Sequence, residues 1–148
     1  MRLPSLALSA LLLVAAAPAV AGPATDTFRR CLAEHTSAAE RKQLARWMWL
    51  SMGEHPEAKA VAPLQPGLRA SADAAIGQLV TRLMADDCAA EMRSAVSMDG
   101  TAAIRSASSA LGQIALRELV SDPAVQKSIE AFTNSMDDKR LDQALKPR

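Results

Sequence analysis

Only two cysteines occur in this chain, Cys31 and Cys88. Any fold it adopts in an oxidising compartment therefore admits a single intramolecular bridge, joining those two positions. That such a compartment is the expected one follows from the first residues. Met1-Arg2 is a short positive start, Leu3 to Val20 is an apolar run, and Ala19-Val20-Ala21 is a small-residue cleavage pattern. Residues 1–21 thus read as a secretory signal peptide cut after Ala21, which directs the protein out of the cytoplasm, most simply to the periplasm. An even cysteine count behind an export signal predicts a Cys31–Cys88 disulfide. The alternative, a redox pair or soft-metal site, lacks a CxxC motif to support it.

The remaining chain, 22–148, is long enough for one domain that buries roughly two-thirds of its unfolded surface. The sequence holds 17 Lys and Arg against 16 Asp and Glu, and removal of Arg2 with the leader balances them. That balance points away from nucleic acid and from anionic membranes. No stretch after the leader approaches the ~20 apolar residues of a membrane span.

Helical periodicity runs through nearly every segment, and none alternates as a strand does. The expected fold is all-α, a single-domain bundle of five to six helices with one disulfide. Asp26 is expected to cap a first helix carrying Phe28, Cys31 and Leu32. Ser37 and Glu40 have the spacing of a capping box. They open a helix expected over Ala38–Glu54 and closed by Gly53, whose backbone accepts the left-handed region, and by Pro56. Prolines 56, 63 and 66 make the next segment a connector. Leu68, Ala72, Ala75, Ile76, Leu79 and Leu83 then share one helical face. Cys88 and Met92 would fall on the opposite face of the same helix, so a break is expected at Asp86-Asp87, with an Asp capping a new helix. Ile104, Ala107, Leu111, Ile114 and Ala115 line another helix over 101–120. Asp122-Pro123 starts a last one with a Val125, Ile129, Phe132 and Met136 stripe. From Asp137 the chain is charged, as a frayed helix or a tail.

The stretch Leu44–Pro56 holds both tryptophans, and we expect the bundle to centre on it. With Met48 at zero on a helical wheel, Leu44, Met52 and His55 fall within about 40° and form the expected core stripe. Trp47 and Trp49 flank that stripe, and Leu50 points backwards. Trp47, Trp49 and Leu50 are therefore the candidate contact surface for a protein partner, since exposed tryptophan is enriched at binding hot spots. Met48, Met52 and His55 place two thioethers and an imidazole at helical spacing, a donor set that would select copper in the Cu(I) state. The plainer reading is that such methionines fill core gaps.

Hydrolase motifs such as GxSxG and HExxH are absent. His35 and His55 each end a helical run, where the helix dipole favours them. Glu118, beside the Ile104–Ala115 stripe, is expected either to pair, with Arg46 or Arg82, or to sit in a cleft with a raised pKa. Nothing else points to an enzyme, and no cofactor is implied. A non-enzymatic periplasmic binding protein is the reading the residues favour. A small-ligand or copper binder with a pocket between helices is the alternative.

Four segments, RRCLAEHT, RKQLARWMW…HP, DDCAAE and LGQIALRELVSDPAV, resemble a family of small exported bacterial proteins of uncharacterised function. The resemblance spans Phe28 to Val125 and implies a secreted helical fold with two paired cysteines. It carries no activity or catalytic residue. In size and architecture alone the chain is also similar to periplasmic helical immunity proteins, which inhibit cell-wall-degrading enzymes.

Overall fold

A computed structural model describes residues 22–146, so the leader expected over 1–21 lies outside the described residues. Among the described residues the chain forms eight α-helices and no strand. They are α1 (Pro23–His35), α2 (Ala38–Met52), α3 (Pro56–Val61), α4 (Leu68–Arg82), α5 (Ala89–Asp99), α6 (Ala102–Val120), α7 (Pro123–Thr133) and α8 (Asp138–Ala144). The all-α class is as expected. The number of helices exceeds five to six because the proline connector folds into α3 and the charged end into α8. Both are short and bury nothing.

Local signals explain most boundaries. Ser37 and Glu40 do form the capping box: Glu40 N–H donates to Ser37 Oγ at 3.3 Å, and Ser37 N–H donates back to Glu40 Oε2 at 2.8 Å. Asp122 caps α7 by accepting from Ala124 N and Val125 N. Two expected caps fail. Asp26 lies inside α1, paired with Arg29, because Pro23 at the first helical position opens the helix earlier. Gly53 stays right-handed at φ −62°. Its lack of a side chain serves packing instead, since a Cβ there would meet Leu64 Cδ1 at 3.2 Å.

The break expected at Asp86-Asp87 takes the form of a π-helical turn over Leu83–Asp87, in which Cys88 N–H bonds to Leu83 O. One extra residue per turn moves Cys88 from the outer face to the inner one, which the core stripe of α4 otherwise forbids. Cys88 rather than an Asp precedes α5, and Asp87 is engaged by Arg82.

The disulfide Cys31–Cys88 is present, with a Cα–Cα separation of 6.0 Å. It ties the inner face of α1 to the start of α5. The bridge belongs to the core cluster that also holds Phe28, Leu32, Leu83, Ala95, Ala103 and Ala107. The hub of the bundle is α6, not α2 as expected. α6 packs on α1, α2 and α5, and contributes six buried residues, four of them alanines. Small side chains let three neighbours approach one helix closely, a role the two tryptophans of α2 cannot fill. Beyond Val120 every described residue is exposed, so the stripe Val125, Ile129, Phe132 and Met136 on α7 faces outward. No helix among the described residues is long and apolar enough to cross a membrane.

Candidate functional site: an apolar groove walled by Trp47

Three helices, α2, α4 and α6, leave a groove of about 360 Å³ between them. Leu44 and Trp47 of α2 form one wall, and Ile76 and Val80 of α4 the other. Ser108, Leu111, Gly112 and Ala115 of α6 form the floor. The glycines open it. A Cβ built on Gly77 would meet no atom within 4 Å, and one on Gly112 would meet only the Met48 methyl, at 3.7 Å. A concave, mostly apolar surface with one polar end is the usual form of a binding site.

The polar end is Asp73. The Trp47 indole N–H donates to Asp73 Oδ1 at 2.7 Å, and Arg69 Nε donates to the same oxygen at 2.8 Å. Arg69 also stacks over the Trp47 ring, 5.7 Å from its centroid, in cation–π range. The Trp47 hydrogen bond first, and Arg69 second, hold the Asp73 carboxyl below the usual carboxylate range. Its one used oxygen therefore orients Trp47, and it is a poor proton acceptor at neutral pH. Among the described residues Asp73 is the one titratable side chain lining the groove.

The expected contact residues divide. Trp47 is half-buried and walls the groove, while Trp49 is 59% exposed on the other flank of α2. Leu50 is buried at 3%, which removes it as a contact residue. The connector after α2 folds back toward this end, with Leu64 against Gly53, while Gln43 and Arg46 on the rearward face stay exposed.

The Met48, Met52 and His55 alignment is not formed. α2 stops at Met52, so His55 leaves the helical register and instead caps α3, where its Nδ1 accepts from Glu57 N–H at 3.3 Å. Met48 packs on the core, and Met52 is 47% exposed. A different donor set does converge: His35 Nδ1 lies 3.6 Å from Cys31 Sγ and 4.0 Å from Cys88 Sγ. Both sulfurs are bonded to each other, and Nδ1 is 3.0 Å from Cys31 O, a normal hydrogen bond for a helix-terminal histidine. While the bridge is closed this is no metal centre.

Glu118 is half-buried beside Arg41, Ile114 and Arg117, in a shallow depression without a histidine. Neither expected partner reaches it. Arg82 is engaged by Glu40 at 2.6 Å and by Asp87, and Arg46 lines a separate depression with Gln43 and Leu68. The groove floor was not foreseen in the sequence. Gly77 and Gly112 lie about 100° around their helices from Ile76 and Leu111, off the apolar stripes, so periodicity gave no signal of it.

No protein-family model matches the chain, and no curated protein or solved structure is similar to it at a significant level.

Proposed function

We propose that this is a non-enzymatic binding protein of the periplasm, which takes an apolar segment of a partner protein into the groove between α2, α4 and α6. The carrying observation is the groove itself: apolar sides, one wall opened by Gly77 and the floor by Gly112, and a tryptophan held at the rim by Asp73 and Arg69. Glycine and serine on the floor let a partner's side chains approach the helix backbones closely. An amphipathic helix reading this groove through residues one turn apart is the simplest occupant. The Cys31–Cys88 bridge supports an oxidising location. An inhibitor or immunity role toward a cell-wall-degrading enzyme is one instance of this reading.

The volume also favours a second reading. About 360 Å³ lies in the range of small-molecule pockets, so a small apolar ligand is the alternative occupant. One variant tests both. Gly77→Leu places its Cβ in open space at a helical position, and the larger side chain narrows the groove. After crosslinking in the periplasm, wild type should enrich a protein that Gly77→Leu does not. If intact-mass measurement of the native protein shows a small adduct lost in Gly77→Leu, the ligand reading holds instead. Equal behaviour of the two proteins in both measurements rules the groove out.

A further inference from the structure

Gly22, at the N-cap of α1, is pressed against the carboxylate of Asp99, the last residue of α5. A Cβ built on Gly22 would lie 2.6 Å from Asp99 Oδ1, 2.7 Å from Oδ2 and 3.0 Å from Cγ. No other residue fits there unless Asp99 moves. A backbone nitrogen sits roughly 2.5 Å from its own Cβ, which places Gly22 N within about 5 Å of both carboxylate oxygens. Thr25, only 1% exposed, donates its hydroxyl to Oδ2 at 2.5 Å and fixes the carboxylate in this position. Oδ1 is left facing Gly22.

We propose that the chain is cut between Ala21 and Gly22, and that Asp99 is the seat of the α-ammonium group so created. The cut is a peptidase-catalysed hydrolysis. Water adds its hydroxyl to the Ala21 carbonyl carbon, the C–N bond breaks, and the Gly22 nitrogen leaves as an amine that is protonated at neutral pH. The inference rests on the export reading, but it adds a site which that reading does not contain.

Two independent observations meet at one residue. The small-residue pattern Ala19-Val20-Ala21 sets the cut directly before Gly22, and the fold sets a carboxylate directly against Gly22. Physical need links them. A new positive charge at the N-terminus of a helix is opposed by the helix dipole. A carboxylate within about 5 Å offsets it. The seat also has a structural consequence. α1 and α5 run antiparallel, joined in the second half of α1 by Cys31–Cys88 and near its start by the Thr25–Asp99 hydrogen bond. Processing then adds a charged contact beside the Thr25–Asp99 bond at this end of the two helices.

The full-length chain, expressed in an exporting bacterial host, provides the test. Intact mass of the periplasmic product should correspond to a start at Gly22. Selective acetylation of its α-amine, which removes the charge, should lower Tm by about 2–4 °C. In Asp99→Asn, where only the opposing helix dipole remains, the same acetylation should leave Tm unchanged or raise it slightly, and should not lower it. Gly22→Ala, which pushes the carboxylate away, should shrink the effect and covers the case of Asp99→Asn failing to fold. A product that keeps the leader overturns the export reading together with the seat. A product starting at another residue overturns the proposed cut and its seat but leaves export standing. A product starting at Gly22 whose Tm ignores acetylation overturns the seat alone.

Discussion

The indole N–H of Trp47 donates to Asp73 Oδ1 at 2.7 Å, which ties α2 to α4 at the rim of the groove. Asp73 titrates below the usual carboxylate range because of that bond and of Arg69. Since its folded value is depressed, its contribution is complete above the unfolded value of about 3.9 and is lost as pH falls through the folded one. Trp47 should therefore keep its orientation from neutral pH down to about pH 4 and release it only below. Fluorescence of a Trp49→Phe variant, in which Trp47 is the sole emitter, checks this. A transition centred above the ordinary carboxylate range contradicts it.

The two phenylalanines should behave oppositely. Phe28 is fully buried in the core, and Phe28→Ala should cost about 3–5 kcal/mol. Phe132 is 66% exposed on α7, and Phe132→Ala should change stability by no more than about 0.5 kcal/mol. Urea unfolding of both variants decides whether α7 stands off the core as described. A large loss in Phe132→Ala would mean that its stripe is packed.

Opening the disulfide should destabilise without unfolding the helices at room temperature. The bridge spans a sequence separation of 57. For a loop of that size the chain-entropy model gives roughly 4 kcal/mol, and about 2–4 is the usual measured range. Thermal unfolding with and without reductant, beside the double variant Cys31→Ala/Cys88→Ala, measures it. Equal Tm values in all three would show that the bridge adds nothing.

Glu40 joins the start of α2 to the end of α4. The Ser37 hydroxyl and backbone N–H, and then Arg82, hold its carboxyl below the usual range. Ser37→Ala removes the cap and should cost about 1 kcal/mol, read as a lower urea midpoint with an unchanged slope. An unchanged midpoint would leave the cap without a stabilising role.

The helices and their faces were legible from periodicity because most are amphipathic over three turns or more. Ile76, Leu79 and Leu83, and equally Ala107, Leu111, Ile114 and Ala115, lie inward as their spacing predicts. The capping box at Ser37 and the Asp122-Pro123 start were readable because each is local chemistry between neighbours in sequence. What failed depends on distant contacts. The hub is α6 because alanines permit close packing on several sides, and nothing in a single helix's pattern ranks it above a helix with two tryptophans. Leu50 is buried although a wheel points it away from the core. The π-turn was visible only as a conflict between Leu83 and Cys88. The groove opening at Gly77 and Gly112 was not readable, since both glycines lie about 100° off the apolar stripes of their helices. Asp73 gave no signal, since Arg69 and Asp73 one turn apart look like any surface pair.

The groove is the central claim, and site-specific photocrosslinking in the periplasm tests it most directly. A photoreactive residue at Ser108, on the groove floor, is compared with one at Trp49, on the opposite flank of α2. Position 108 should give an adduct that disappears when Gly77→Leu is added. Adducts from position 49 with none from position 108 would contradict it and return the contact surface to the outer face of α2.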